Sequence, residues 1–277
     1  IQDIGEHIFD NQYHPSLPDR ESYALYYEDH AALVRKYPDR IEFPRFRDIE
    51  RLNEDVYEDA VYLFSIDGER YYLVEEINRE RQSHYTMENT EIFRYAEPQY
   101  LAFAGITGYQ LHNWYQSRRF CGKCGRRMKK DSKERMLYCE SCHNMEFPKI
   151  CPAVIIGVTD GDKILMSKYA GRTYKKYALL AGFTEIGETL EETVQREVME
   201  EVGLKVKNIR YYKSQPWSFT DTLLMGFYCD LDGEAAITLD REELAMAEWF
   251  QRDEIPVEPE RDSITNEMII RFKSGEV

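Results

Sequence analysis

No apolar run in these 277 residues approaches the ~20 positions that a membrane-spanning helix needs. The opening stretch, IQDIGEHIFDNQ, has neither the basic start nor the apolar centre of a secretory signal. Together these absences make the cytoplasm the expected compartment, and Ile1 suggests that an initiator methionine is missing. Positive charge is scarce too: 36 Lys and Arg stand against 51 Asp and Glu, a formal net charge of −15. Sequence-independent binding to long nucleic acids works by neutralising phosphates, so this balance argues against it while suiting a protein that holds several cations. There is no internal repeat, no low-complexity tract, and nothing that marks a covalent nucleophile. What is there, 43% hydrophobic and 31% charged, is a globular composition long enough for one large or two smaller domains.

Cysteine is sparse, six in all, yet four are arranged. Cys121 and Cys124 are followed after fourteen residues by Cys139 and Cys142, each pair spaced C-x2-C. Two such pairs make a closed tetrahedral thiolate site for structural Zn²⁺, with no open coordination position. The rival reading is a pair of disulfides in a secreted domain; the knuckle CGKCG and the missing signal segment favour zinc. His143 follows directly and reads as a surface residue, while Cys151 and Cys229 read as packed thiols. The same stretch is locally basic, with Arg118, Arg119, Lys123, Arg126, Arg127, Lys129, Lys130 and Lys133. It reads either as a solvated loop or as a cationic wall beside a phosphate-bearing substrate.

The densest pattern is GFTEIGETLEETVQREVMEEVGL, from Gly182 to Leu204. Thr189 to Val202 lacks Gly and Pro and is rich in helix formers, and Gly203 supplies a stop. At about 100° per residue, Leu190, Val194, Val198 and Val202 form one apolar stripe. Glu197, Glu200 and Glu201 share a neighbouring arc, with Glu201 inside the edge of that stripe. A solvated acidic face accounts for Glu191 and Glu192. It does not account for three carboxylates converging with one on the packing face. Close carboxylates repel unless protons or cations compensate, and hard divalent cations prefer oxygen ligands, so the spacing predicts a metal site.

Along the rest of the chain, Tyr23 to Tyr37 reads as a possible helix, and DAVYLFSI and RYYLVEE as strands around an Asp67-Gly68 hairpin turn. Gln99 to Ser117 reads as an aromatic-rich helix despite two glycines. These elements predict a small α+β accessory domain over residues 1–118, whose aromatics are core, followed by the cysteine ribbon at 119–147. From 148 to 277 the pattern changes to strand, turn at Asp160-Gly161-Asp162, strand, then YALLAGF, the acidic helix, KVKNIRYYKSQPW, TLLMGFYCDL, a strand within Glu242 to Phe250, and a closing helix from Thr265 to Lys273. Strands flanking one acidic helix predict a mixed α/β domain.

The box G-x5-E-x7-R-E-U-x-E-E-x-G-U (U aliphatic) is matched throughout by Gly182, Glu188, Arg196-Glu197-Val198, Glu200-Glu201 and Gly203-Leu204. With the four-cysteine ribbon just before it, LAGF at Leu180 to Phe183 and SQPW at Ser214 to Trp217, the chain resembles the NADH pyrophosphatase (NAD⁺ diphosphatase) branch of the Nudix hydrolases over nearly its whole length. The resemblance implies an α/β/α sandwich built on a mixed sheet. It also implies hydrolysis of the pyrophosphate of NAD(H) to nicotinamide mononucleotide and AMP, with 5′-NAD-capped RNA or another nucleoside diphosphate derivative as alternative substrates. A catalytically silent nucleotide-binding regulator is the alternative from another class, disfavoured by the complete carboxylate set. By resemblance Glu197 and Glu201, with the carbonyl of Ala181, hold Mg²⁺ or Mn²⁺, Glu200 helps, and Glu243 is a further ligand. Glu188 and Arg196 brace the loop and helix. Phe183 matches a base-stacking aromatic, Glu134 a substrate-contacting acid, and Phe147 an aromatic lent by the partner of a homodimer. The substrate loop Gln215, Pro216, Trp217, Ser218, Phe219, Thr220, Asp221, Thr222 departs from the usual SQPWPFPxS, since Ser218 and Thr220 replace prolines. Thr265 stands where an alanine is common.

Overall fold

The structure, a computed structural model, describes residues 3–51, 55–78, 84–171, 176–261 and 263–277. The chain forms two compact units, Ile1–Lys149 with Ser218–Thr220, and Ile150–Trp217 with Asp221–Val277.

In the first unit Val61–Ile66 and Glu69–Leu73 pair antiparallel, joined by Asp67 and Gly68 at φ 53° and 79°. Both central residues need positive φ for strands of natural twist to meet in so short a turn. Phe9–Asp10 and Tyr23–Leu25 complete this four-stranded sheet. The segment read as a possible helix, Tyr23 to Tyr37, is instead three strands, Tyr23–Leu25, Tyr27–Glu28 and Ala31–Lys36. Asp29 at φ 48° reverses the chain between the last two, and pairing to Glu69–Leu73 and Thr86–Asn89 overrides the local pattern. Helix Gln99–Ser117 forms as expected, and its glycines are there for packing. A Cβ on Gly105 would sit 2.5 Å from the Phe93 ring, and one on Gly108 2.5 Å from a Leu25 methyl. The bare backbone lets the Tyr27 hydroxyl donate to the Gly105 carbonyl at 2.6 Å. Many aromatics of this unit are core, Tyr27, Phe64, Tyr71, Phe93 and Trp114 among them, whereas Tyr95 and Phe120 are exposed. The ribbon adds a three-stranded sheet, Lys129–Lys130, Leu137–Tyr138 and Met145–Glu146.

In the second unit one mixed sheet runs Val206–Trp217, Thr222–Leu231, Cys151–Asp160, Lys163–Tyr169, Leu244–Gln251, with Leu180–Phe183 paired to Cys151–Asp160. Cys151–Asp160 is parallel to Thr222–Leu231 and antiparallel to its other partners. Its side chains alternate with the period of two that a strand imposes. Val154, Ile156 and Val158 pack with Val194, Val198 and Val202 of helix Leu190–Val202. Ile155 faces the other way, towards Ile264, Met268, Ile269 and Phe272 of helix Ile264–Lys273. The sheet is thus covered on both faces, an α/β/α sandwich with a continuous apolar run as its central strand.

Candidate active site

Helix Leu190–Val202 is fixed at both ends by its own sequence. The Thr189 hydroxyl accepts from the Glu192 N–H at 3.2 Å, and the Glu192 carboxylate accepts from the Thr189 N–H at 2.8 Å, a reciprocal capping box. Gly203 ends the helix at φ 70°, the left-handed conformation that glycine takes freely. Glu192, read as one of two solvated acids, is therefore part of the cap, and Glu191 is exposed.

One guanidinium organises the face. Arg196 Nε donates to Glu188 Oε1 at 2.5 Å and Nη2 to Glu188 Oε2 at 2.9 Å, a bidentate fork. Its Nη1 reaches Glu197 Oε1 at 2.7 Å and Glu200 Oε2 at 2.9 Å, and Nη2 also donates to the Phe183 carbonyl at 2.9 Å. These bonds tie the loop after Leu180–Phe183 to the helix. The Arg196 fork, aided by the Glu185 N–H, holds the Glu188 carboxyl down at about 2.

Glu197 and Glu201 are 8% and 2% exposed, whereas Glu200 and Glu243 face solvent. Gly182 makes the burial of Glu197 possible, because a Cβ there would fall inside the Glu197 carboxyl group. The invariable first position of the box pattern is thus a cradle for a carboxylate. Desolvation raises the Glu197 pKa; Arg196 opposes this, and the charges of Glu200 and Glu243 add to it. Glu243 comes from the turn before Leu244–Gln251, where its carbonyl accepts the Ala170 N–H at 2.8 Å. The fold therefore brings it within the field of Glu197, which no local pattern in REELAMAEWF indicates. Ala181 lies beside Gly182 on the same strand.

Two buried carboxylates, two exposed ones and a backbone carbonyl are hard oxygen donors that suit Mg²⁺ or Mn²⁺. Burial of like charges is unfavourable without a cation, which is the physical reason these residues fit one. Among the described residues, only the four thiols form a set of three or more metal-ligating groups within 4.8 Å of one another. No three of the described carboxylates lie that close together, and Glu197 and Glu200 are held on Arg196.

The ribbon sulfurs are drawn together for a tetrahedral ion. Cys121 and Cys142 Sγ lie 3.5 Å apart, as do Cys124 and Cys139. Four ligands at about 2.3 Å around one Zn²⁺ place sulfurs about 3.8 Å apart. All four are free thiols, which removes the disulfide alternative. The Cys142 N–H aimed at Cys139, and then that of Ser141, hold the Cys139 thiol down at about 6, against the effect of burial. His143 is exposed and turned to φ 56°. Cys229 is buried and Cys151 half-buried.

The other residues singled out in the sequence are spread over both units. Phe183 is 55% exposed on the second unit; Phe147, 54% exposed, and the exposed Glu134 belong to the first. Ser214 to Trp217 and Thr222 lie on strands of the second unit, Asp221 in the turn before Thr222 at φ 56°, while Ser218–Thr220 group with the first. There Arg94 covers the Phe219 ring at 4.2 Å. Gln215 is 2% exposed, and its side-chain oxygen accepts the Ile264 N–H at 2.7 Å. It thereby secures the start of the helix that carries Thr265, a role the sequence did not indicate. Thr265 itself lines a cavity of about 240 Å³ with Lys168, Tyr177 and Asn266.

Residues 149–272 match the NUDIX domain, and residues 116–147 match the NADH pyrophosphatase zinc ribbon domain. The NAD-capped RNA hydrolase NudC of Photorhabdus laumondii is 41% identical over 162 residues, which are 58% of this chain and 63% of that protein. The protein of the same description from Klebsiella pneumoniae (strain ATCC 700721 / MGH 78578) is 40% identical over 163 residues, 58% of this chain and 63% of its own length. The chain thus spans less than two thirds of the length of these curated relatives. A solved NUDIX hydrolase from Nitrosomonas europaea aligns with a TM-score of 0.49 at 24% identity, covering 56% of this chain and 90% of that one.

Proposed function

We propose that this chain, a NUDIX-domain protein with an NADH pyrophosphatase zinc ribbon, hydrolyses the pyrophosphate bond of NAD(H) to nicotinamide mononucleotide and AMP. The observation that carries this reading is the buried carboxylate pair Glu197 and Glu201, with Glu197 in the Gly182 cradle and Glu243 close enough to raise the Glu197 pKa. Glu197, Glu200, Glu201, Glu243 and the Ala181 carbonyl would hold Mg²⁺ or Mn²⁺, which supplies charge neutralisation at the diphosphate and a more acidic water. The chain's own part is positional. Arg196 locks two of the carboxylates and the Phe183 carbonyl into one frame, so little reorganisation accompanies the reaction. Phe183 offers a flat face for a base or the nicotinamide, a contact worth about 1–3 kcal/mol.

Further assignments rest on resemblance: Glu134, Phe147, the loop Gln215 to Thr222 and Thr265 as substrate contacts, and a homodimer in which Phe147 serves the partner's substrate; the domains at 1–118, 119–147 and 148–277 rest on the pattern of elements and composition. Residence in the cytoplasm accords with four thiols kept for zinc. A second reading, removal of NAD from the 5′ end of RNA, is favoured by the description of the relatives and by the basic ribbon.

Rates with Mg²⁺ or Mn²⁺ on NADH, ADP-ribose, diadenosine diphosphate and a short NAD-capped RNA test these readings side by side. Faster cleavage of ADP-ribose than of NADH would end the nicotinamide reading and leave only the hydrolase class. No cleavage of any of them would favour the silent regulator.

A further inference from the structure

The first unit contains a cavity of about 440 Å³ lined by none of the carboxylates discussed above. One wall is cationic and belongs to the ribbon and the helix end before it: Arg118, Arg119, Arg127 and Lys130. The floor is Tyr115, Met128 and Leu137, all buried or partly so by the ribbon sheet. The facing wall carries Asp59, Glu75 and Glu76.

The cations are unequally engaged. Lys130 pairs with Glu75 at 3.1 Å. Arg118 is 3.6 Å from Glu146, outside hydrogen-bond range, and among the described residues the Arg119 guanidinium reaches the Gln116 side-chain oxygen at 3.4 Å and no carboxylate. Arg127 has no ion pair with any described residue. Two guanidiniums with no carboxylate partner among the described residues therefore border one concave space, in a protein whose formal charge is −15. Guanidinium forks match the oxygens of a phosphoryl group, and a site that gathers them against the overall charge is built for an anion. The opposite wall limits what the anion can be. Three carboxylates would repel a long polyanion, but they accept hydrogen bonds from sugar hydroxyls or an exocyclic amine. The volume suits a ligand of mononucleotide size.

We propose that this cavity binds a nucleoside monophosphate, with the phosphate on Arg119 and Arg127 and the nucleoside towards Asp59 and Glu76. The proposal does not depend on the hydrolase reading, and binding without turnover tests it. Radiolabelled AMP is dialysed to equilibrium against the zinc-loaded 277-residue chain with no added Mg²⁺ or Mn²⁺. We expect a site that survives Phe183→Ala and weakens by about tenfold or more in Arg119→Ala/Arg127→Ala, the usual effect of losing charge-assisted hydrogen bonds. Arg127→Lys, which keeps charge and loses the fork, should fall between, and equal zinc content in all variants shows that the ribbon is intact. Binding that Phe183→Ala abolishes and the arginine variant leaves unchanged overturns the proposal. So does inorganic phosphate competing as well as AMP, which would leave the nucleoside unrecognised. Displacement by a 5′-monophosphorylated RNA at far lower concentration than AMP would give the cavity to RNA instead.

Discussion

Single residues in the Gly182 to Leu204 stretch have separable duties. Glu201 is 2% exposed on the packing face of its helix, while Glu191 lies in solvent about three turns away. Glu201→Gln keeps the shape and removes one charge, so turnover should fall by two or more orders of magnitude, on the order of a lost electrostatic group in an active site. Glu191→Gln should leave turnover near that of the parent. Steady-state rates on NADH for both variants, with melting curves to confirm folding, check the pair; equal losses would dissolve the distinction between the two arcs.

Glu188 gives a pH signature. Its folded pKa, about 2, lies below the ordinary 4.5, so the folded state binds fewer protons than the unfolded one over that interval. Its contribution is complete above about 4.5 and is lost as pH falls towards 2. Glu188→Gln should therefore melt lower than the parent at pH 6, and the gap should close as pH drops through this window. A gap that persists at acid pH would mean that Glu188 acts through shape and not through the Arg196 fork.

Elements show how far local pattern reaches. Glu192 was read as a solvated acid and belongs to the N-terminal cap, but the helix Leu190–Val202 and its Gly203 stop were legible, because they depend on neighbours within one turn. The Asp67-Gly68 hairpin and the helix Gln99–Ser117 were legible for the same reason. Tyr23 to Tyr37 was not, because its strands are made by partners far along the chain. The ribbon lies between these cases. Its C-x2-C spacing names the ligands, but its sheet has only two-residue strands, too short to stand without a staple. We expect one Zn²⁺ per chain by elemental analysis. Removing it with a chelator should abolish protection from hydrogen exchange over residues 121–146 while the second unit keeps its own melting transition. A chain that holds no zinc as purified, or a ribbon that stays protected without it, contradicts this assignment.

For the whole molecule, the assignment of Phe147 to a partner's substrate requires a homodimer. Sedimentation at assay concentration should show two chains per particle, and Phe147→Ala should raise the KM for NADH more than it lowers kcat. An active monomer excludes the arrangement.

The sequence by itself determined the two C-x2-C pairs, the acidic helix with its Gly203 stop, the succession of strands along the second unit, and a set of carboxylates suited to a hard metal. All of these reside in spacings of a few residues or in the two-residue and 3.6-residue periods. Only the tertiary structure decided the rest. It placed Glu243 in the field of Glu197, turned Gly182 into the cradle of a carboxylate, gave Gln215 to the backbone of Ile264, and divided the SQPWSFTDT loop between two units. These are contacts across long loops, set by the pairing of a mixed sheet and the closing of a core, and no local pattern encodes which distant atom will arrive.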